Sequence, residues 1–303
     1  MEIRSTHLYD FPDLAIQAHQ LLEVVEDHDG TAAFSEQFIF GIDDAQRRHR
    51  YIIALDGPQL VGLAADDGAT VELAVTPAYR RRKVGTQLVR SFMKPPSVWA
   101  HGNLFEAQRF ADALNFIATR ELLVMTIKNP ALINASTFTL PKGYQVCDLV
   151  AAQMRCENIE DRWLEVNNEA FSWHPEQGGW DKDRLRRAQA TDWFNPHDVL
   201  FLIDNRDTTQ PRIAGFHWLK RHGKLAQAEL GEVYVVGLAD AYRGQKLGDP
   251  LVRMGLAHLL KAGAQEIILY VEADNTPAIN AYKQLGFSVT EQHCLYTAAD
   301  QTS

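Results

Sequence analysis

The stretch Val233-Tyr234-Val235-Val236-Gly237-Leu238-Ala239-Asp240-Ala241-Tyr242-Arg243-Gly244-Gln245-Lys246-Leu247-Gly248-Asp249-Pro250-Leu251-Val252 decides the reading of the chain. It opens as an apolar strand, breaks into a basic turn containing glycine, and ends in a helix predicted from about Gly248 to Lys261. Gly237 inside the strand predicts a bulge or a close backbone approach. The first N–H groups of a helix have no partner within it, and the helix dipole adds positive potential there. Arg243 and Lys246 can add charge. A strand feeding such a turn is an anion-binding device whose natural guest is a pyrophosphate.

The same device occurs earlier in the chain. Ala78-Tyr79-Arg80 recurs as Ala241-Tyr242-Arg243, and at that offset Lys83 matches Lys246, Gly85 matches Gly248 and Leu88-Val89 matches Leu251-Val252. Further on, Leu114-Asn115-Phe116 parallels Leu285-Gly286-Phe287. A hairpin predicted over Tyr51 to Ala64 and a strand over Val71 to Val75 precede the first copy. A hairpin over Val199 to Leu219 precedes the second. Such a repeat, internal and of about 150 residues, is too long for a solenoid unit. It predicts two tandem domains of mixed α/β type, each a sheet with flanking helices. The polar stretch from Asn134 to Gly143, with Pro141 and Gly143, places the division at 1–138 and 139–303.

Composition narrows the chemistry. The 303 residues carry a net charge of −9, which argues against a broad nucleic-acid or anionic-membrane surface. No run of about 18 apolar residues occurs, and Met1 to Asp10 lacks an apolar signal region, so a cytoplasmic protein is expected. The three cysteines, Cys147, Cys156 and Cys294, have no metal or CxxC spacing, and the 11 histidines include no HExxH. No metal is expected.

With its turn Arg243-Gly244-Gln245-Lys246-Leu247-Gly248 the chain resembles the GCN5-related N-acetyltransferase superfamily, whose signature is [Q/R]-x-x-G-x-[G/A]. The first half reads Arg80-Arg81-Arg82-Lys83-Val84-Gly85, and both copies carry lysine where the signature has its first glycine. The later segment Glu272-Ala273-Asp274-Asn275, followed by Ala278-x-x-x-Tyr282-x-x-x-Gly286-Phe287, looks like the superfamily's second motif. More narrowly, His174-Pro175-Glu176-Gln177-Gly178-Gly179-Trp180, Gly215-Phe216-His217-Trp218, Gly231 to Val235, Leu269 to Asn275 and Val98-Trp99-Ala100-His101-Gly102 resemble the mycothiol synthase family over nearly the whole chain. That family acetylates the cysteinyl amine of a cysteinyl-glucosaminyl-inositol with acetyl-coenzyme A, the last step of mycothiol synthesis.

The resemblance assigns expectations to residues. Glu232 stands at the general-base position. Tyr282, one turn into its helix, is placed to protonate the leaving thiolate. Acetyl-coenzyme A is expected along Val236, Gly237 and Leu238, whose N–H groups would hold the thioester carbonyl. It would continue over Arg243, Gly244, Gln245, Lys246, Leu247, Gly248 and Asp249, with Asn275 and Asn280. Glu36, Glu176, Lys220, Glu232 and Tyr270 are expected at the amine acceptor. Aligned without gaps, Ala69 and Ala111 of the first half replace Glu232 and Tyr282. The first half is therefore expected to bind acetyl-coenzyme A through Leu73, Ala74, Val75, Arg81, Arg82, Lys83, Val84, Gly85 and Thr86 without catalysing. A monomer is expected, since the two halves already form a pseudo-dimer. Another small amine as acceptor, or a non-catalytic acyl-coenzyme A sensor, are the alternatives.

Overall fold

The computed structural model describes residues 1–156, 158–174, 177–207, 209, 211–223 and 229–299. The elements of the first half are β1 (Glu2–Thr6), α1 (Pro12–Asp29), α2 (Glu36–Phe40), β2 (Arg50–Asp56), β3 (Gln59–Asp66), β4 (Val71–Val75), α3 (Val84–Arg90), β5 (Val98–Ala100), α4 (Phe105–Ala113) and β6 (Phe116–Lys128). The chain continues with α5 (Ala131–Ala135), β7 (Tyr144–Asp148), α6 (Leu149–Gln153), α7 (Ile159–Ala170), α8 (Lys182–Gln189), β8 (Val199–Asp204) and β9 (Arg212–His222). It ends with β10 (Leu230–Leu238), α9 (Gly248–Lys261), β11 (Glu266–Glu272), α10 (Thr276–Leu285) and β12 (Ser288–Ala298).

Two compact units result, and neither is continuous in sequence. The first takes Met1–Leu123, Glu272–Asp274 and the chain from Glu291 onward; the second takes Val124–Val271 and Asn275–Thr290. The expected division at 138/139 follows the sequence, whereas these units follow the strands. The 13-residue β6 begins in one unit and ends in the other, and so does β12.

In the first unit β1 to β5 lie side by side in chain order, and Cys294 to Tyr296 of β12 pair antiparallel with β5. The sheet is built by alternation. Ile53, Leu55 and Leu63 face α1, while Ile52, Ala54 and Ala64 face the opposite side with Val84 and Leu88 of α3. The α1 stripe Leu14, Ala18, Leu21, Leu22 and Val25 is fully withdrawn from water, at about 2 kcal/mol for each large side chain. Pro12 opens that helix, and Gly30, at φ 72°, closes it with an N–H to the Glu26 carbonyl.

The second unit has the order β6-β11-β10-β9-β8-β7. Trp163 of α7 meets Phe201, Phe216 and Trp218 edge-on at 5.1–5.9 Å between ring centres. Leu251, Met254, Leu256 and Leu259 of α9 are buried as well.

The repeat extends beyond the matched strings. Tyr79 donates its hydroxyl proton to Asp56 at the end of β2, and Tyr242 donates to Asp204 at the end of β8, both at 3.0 Å. Asn115 (φ 57°) after α4 and Gly286 (φ 103°) after α10 both take the left-handed conformation.

Candidate active site

The second unit opens its sheet where the sequence placed the site. Strands β10 and β11 run parallel, and their pairing extends from Leu230↔Glu266 to Val233↔Leu269. Beyond it β10 continues to Leu238 with β9 on its other side. The edge of Val236–Leu238 toward β11 therefore keeps backbone groups for a strand-like ligand. A bulge between Val233 and Val235 starts the divergence, three residues before the glycine suspected of causing it. Gly237 serves the other expected purpose, close approach. A Cβ there would stand 2.9 Å from Ala170 and 3.1 Å from Phe216.

Next comes the anion turn. Gly244 (φ 76°) and Lys246 (φ 59°) are both left-handed, so Lys246 adopts the conformation that the signature's glycine would supply. In the first unit Arg81 (φ 61°) and Lys83 (φ 64°) do the same. Holding a side chain there costs about 1 kcal/mol or more, and such cost concentrates at functional turns. The turn leads into α9 at Gly248. Space around Gly244 is open: a Cβ added there would meet no atom within 4 Å. These features fit a pyrophosphate held by backbone N–H groups.

Several side chains expected on the cofactor have protein partners. The Arg243 guanidinium pairs with Asp240 at 3.1 Å and reaches the Ala170 carbonyl at 3.3 Å. The Gln245 amide donates to the Ala241 carbonyl at 2.7 Å. Asp249 accepts from Arg253 at 2.8 Å. Asn275 caps α10 by accepting from the Ala278 N–H, and Asn280 is exposed on that helix. The main chain of the turn, more than its side chains, is what remains for a phosphate.

Beside the opened edge lies a carboxylate. Glu232 is buried on β10, and its Oε2 is hydrogen-bonded to Nε2 of His222 at 2.7 Å. Lys220, its partner across the ladder on β9, is also buried and lies over the Trp193 ring at 5.1 Å. Trp193, Trp218 and Tyr234 form an aromatic wall with centroid separations of 4.8–5.8 Å. Tyr270 on β11 is exposed. Tyr282 packs its ring on Phe287 at 5.7 Å, and loss of water pushes its phenol up to about 12. Glu176 lies outside the described residues. The loop it belongs to is tied to α7, where Asn167 and Asn168 donate to the carbonyls of Gln177 and Trp180.

His222 and Trp193 were missed in the sequence. The strand was expected to stop at Leu219, although the alternation Trp218, Lys220, His222 continues on one face to the end of β9.

The first unit repeats the opening but not the acid–base groups. Strands β4 and β5 pair only at Val71↔Val98 and Glu72↔Trp99, which leaves Leu73–Val75 beyond the pairing. Val84 is buried at the start of α3, Gly85 and Thr86 are half-buried, and Arg81, Arg82 and Lys83 are exposed. Ala69 lies in the loop before β4, and Ala111 is buried in α4. Glu72 is a buried carboxylate that sequence reading overlooked. The Ser35 N–H and hydroxyl donate to it at 2.7 and 2.8 Å, and His101 Nε2 stands 2.9 Å away. Glu36 is exposed at the first position of α2, directly after Ser35.

Two units with an opened parallel strand pair, a left-handed basic turn and a helix start define a tandem acetyltransferase of the GCN5-related type. Residues 149–287 match the Acetyltransferase (GNAT) family. Solved structures of similar fold include a GCN5-related N-acetyltransferase from Sphaerobacter thermophilus, at 19% identity and TM-score 0.67 over 97% of this chain and 94% of that one. A tandem GNAT protein from the clavulanic acid biosynthesis pathway is similar at 16% identity and TM-score 0.69 over 98% of both chains. In sequence the chain is 48% identical to the mycothiol acetyltransferase of Corynebacterium efficiens, covering 97% of this chain and 96% of that protein. It is 47% identical to that of Corynebacterium diphtheriae over 92% of both. The chain belongs to the mycothiol acetyltransferase family of GNAT N-acetyltransferases. Enzymes of this fold family act with acetyl-coenzyme A and an amine. Among the described residues no cluster of potential metal ligands occurs, and no helix is long and apolar enough to cross a membrane.

Proposed function

We propose that this chain transfers the acetyl group of acetyl-coenzyme A to the cysteinyl amine of cysteinyl-glucosaminyl-inositol, the last step of mycothiol synthesis, and that the second unit does the chemistry. The observation that carries the reading is the buried Glu232 carboxylate beside the opened end of β10. An α-amino group titrates at about 7.7–8.0, so only modest base assistance makes it a nucleophile near neutral pH. Glu232 takes one proton from the ammonium, and the neutral nitrogen attacks the thioester carbonyl. N–H groups of Val236–Leu238 hold the developing oxyanion. The C–S bond then breaks, and coenzyme A leaves as a thiolate.

Tyr282 serves that departure. A phenol near 12 is protonated throughout the working range. Full proton transfer from it to a thiolate of ordinary pKa, about 8.5, runs uphill by about 5 kcal/mol. Its service is therefore a hydrogen bond to the departing sulfur, and the second proton lost by the nitrogen completes the thiol. Lys220 and Tyr270 are acceptor contacts in the same unit. Glu36 and Glu176 are carried by resemblance. Phosphates sit on the main chain from Arg243 to Asp249, with Asn275 and Asn280 at the start of α10. The first unit binds acetyl-coenzyme A at Leu73–Val75 and Arg81–Thr86 and does not catalyse. In support, the buried carboxylate on its strand β4, Glu72, has its oxygens engaged by Ser35 and His101.

The test is coenzyme A thiol release with cysteinyl-glucosaminyl-inositol, glucosamine and spermidine, for wild type and Glu232→Gln. Release with the cysteinyl acceptor alone, lost in the variant, is the expected result. Release only with another amine discards the acceptor, and no release with any of them discards the enzyme reading.

A further inference from the structure

We infer that His222 is the proton exit of the active site: it accepts from Glu232 the proton that Glu232 takes from the acceptor's ammonium, and passes it to water. The inference rests on the reading of Glu232 as the base.

The need comes from proton balance. An ammonium enters with three N–H bonds and the amide product keeps one. One of the two lost protons completes the coenzyme A thiol. The other must leave the site in every turnover, or Glu232 stays protonated and cannot act again. Glu232 has poor access to water, with its side chain 8% exposed. His222 is bonded to it at 2.7 Å and is 31% exposed. The pair thus bridges a buried carboxylate and the surface in one step. Imidazole suits the role because it can gain and lose a proton near neutral pH, and its two nitrogens can take and give on opposite sides. In the step, the O–H bond at Glu232 Oε2 breaks as an N–H bond forms at Nε2. Nδ1 of the imidazolium then gives its own proton to water, and tautomer exchange through water resets the ring.

The surroundings direct the proton outward. Lys220, on the same face of β9, is the cross-strand partner of Glu232, so its charge opposes the return of a proton to that carboxylate. Arg221 projects to the other face of the strand. It pairs with Asp198, which also bonds His258 of α9 at 2.8 Å. Position 222 is opposite Leu230 of β10, which brings no charge. Glu232 is thus the one ionisable group bonded to the His222 ring among the described residues.

Rates with acetyl-coenzyme A and the cysteinyl acceptor, measured from pH 6 to 9, test this in wild type, His222→Gln, His222→Ala and Glu232→Gln. Glutamine keeps a hydrogen bond to Glu232 and cannot carry a proton. The expected result is a loss of about 10-fold or more in kcat for His222→Gln with KM for both substrates within about 2-fold. In His222→Ala, added imidazole and substituted imidazoles restore the rate, graded by their basicity. A change that only loosened packing would raise KM and show no such grading. Wild-type kcat in His222→Gln, or no graded rescue of His222→Ala, overturns the relay. If Glu232→Gln is inactive in that case, the base reading stands without the relay. If Glu232→Gln keeps wild-type activity, the base reading fails and the relay with it.

Discussion

Gly255, in the middle of α9, sits against His217 of β9, and replacing it by alanine should destabilise the protein although helix propensity says otherwise. In an exposed helix interior the change gains about 1 kcal/mol. Here the new methyl would overlap the His217 ring, with Cγ of that ring 2.8 Å away. The ring has nowhere to go. It is 0% exposed and donates from Nδ1 to the Leu251 carbonyl at 3.1 Å, on the same face of α9. Moving it gives up that bond, at about 1 kcal/mol. Pushing the helix off the sheet costs about 1–3 kcal/mol as overpacking. The net is about 2 kcal/mol of destabilisation, or a fall of about 4–8 °C in melting temperature for a unit of this size. Urea and thermal unfolding of wild type, Gly255→Ala, His217→Ala and the double variant measure it. The double variant should be more stable than the sum of the single losses, because the smaller side chain admits the methyl. A Gly255→Ala protein that melts at or above wild type would refute the reasoning.

Three further outcomes are expected. Burial lowers His217 to about 4, against about 6.5 unfolded, so the unfolded chain binds the extra proton between those values. Stability should then be full above pH 6.5 and fall by about 3 kcal/mol toward pH 4, and a His217→Asn urea midpoint that tracks wild type in parallel over that range would contradict this. Lys246→Gly and Lys83→Gly release left-handed side-chain strain and should each raise stability by about 1 kcal/mol, read as unfolding midpoints. Tyr282→Phe should lower kcat by about 10- to 100-fold with little change in KM. It should leave the rate profile unaltered up to pH 10, because the phenol titrates near 12; an alkaline limb below pH 10 present only in wild type would be inconsistent with this role.

The elements that were legible in the sequence are those whose pattern is local. The α1 stripe, the strand Val71–Val75 and the helices α9 and α10 lie where periodicity and capping put them. Glu232 could be singled out as a candidate because it stands near the start of the signature strand. His222 was not, since a strand that ends in Lys-Arg-His looks like a loop when read alone. Its meaning depends on the diagonal neighbour across the ladder, which pairing register alone reveals. Glu72 was invisible for a related reason: its partners Ser35 and His101 come from distant segments, 37 and 29 residues away. The opening between β10 and β11 is also nonlocal, although the motifs implied it. Gly237 left a bulge and a close backbone approach open; it makes the close approach, and the bulge falls at Tyr234. A bulge needs no glycine when the extra residue can turn outward.

The pairing of β5 with Cys294–Tyr296 sets the order in which the chain can mature. His101 and His293, joined at 3.1 Å in the first unit, are 192 residues apart in sequence. Synthesis therefore delivers nearly everything else before the first unit can close its last strand. Until then β5 presents an unpaired edge, a site for mispairing with another nascent chain. Contacts of such long range also slow folding. A fragment cut after residue 138 lacks this strand, so a soluble first unit is better sought by fusing the segment from Glu291 onward to Leu123 through a short flexible linker.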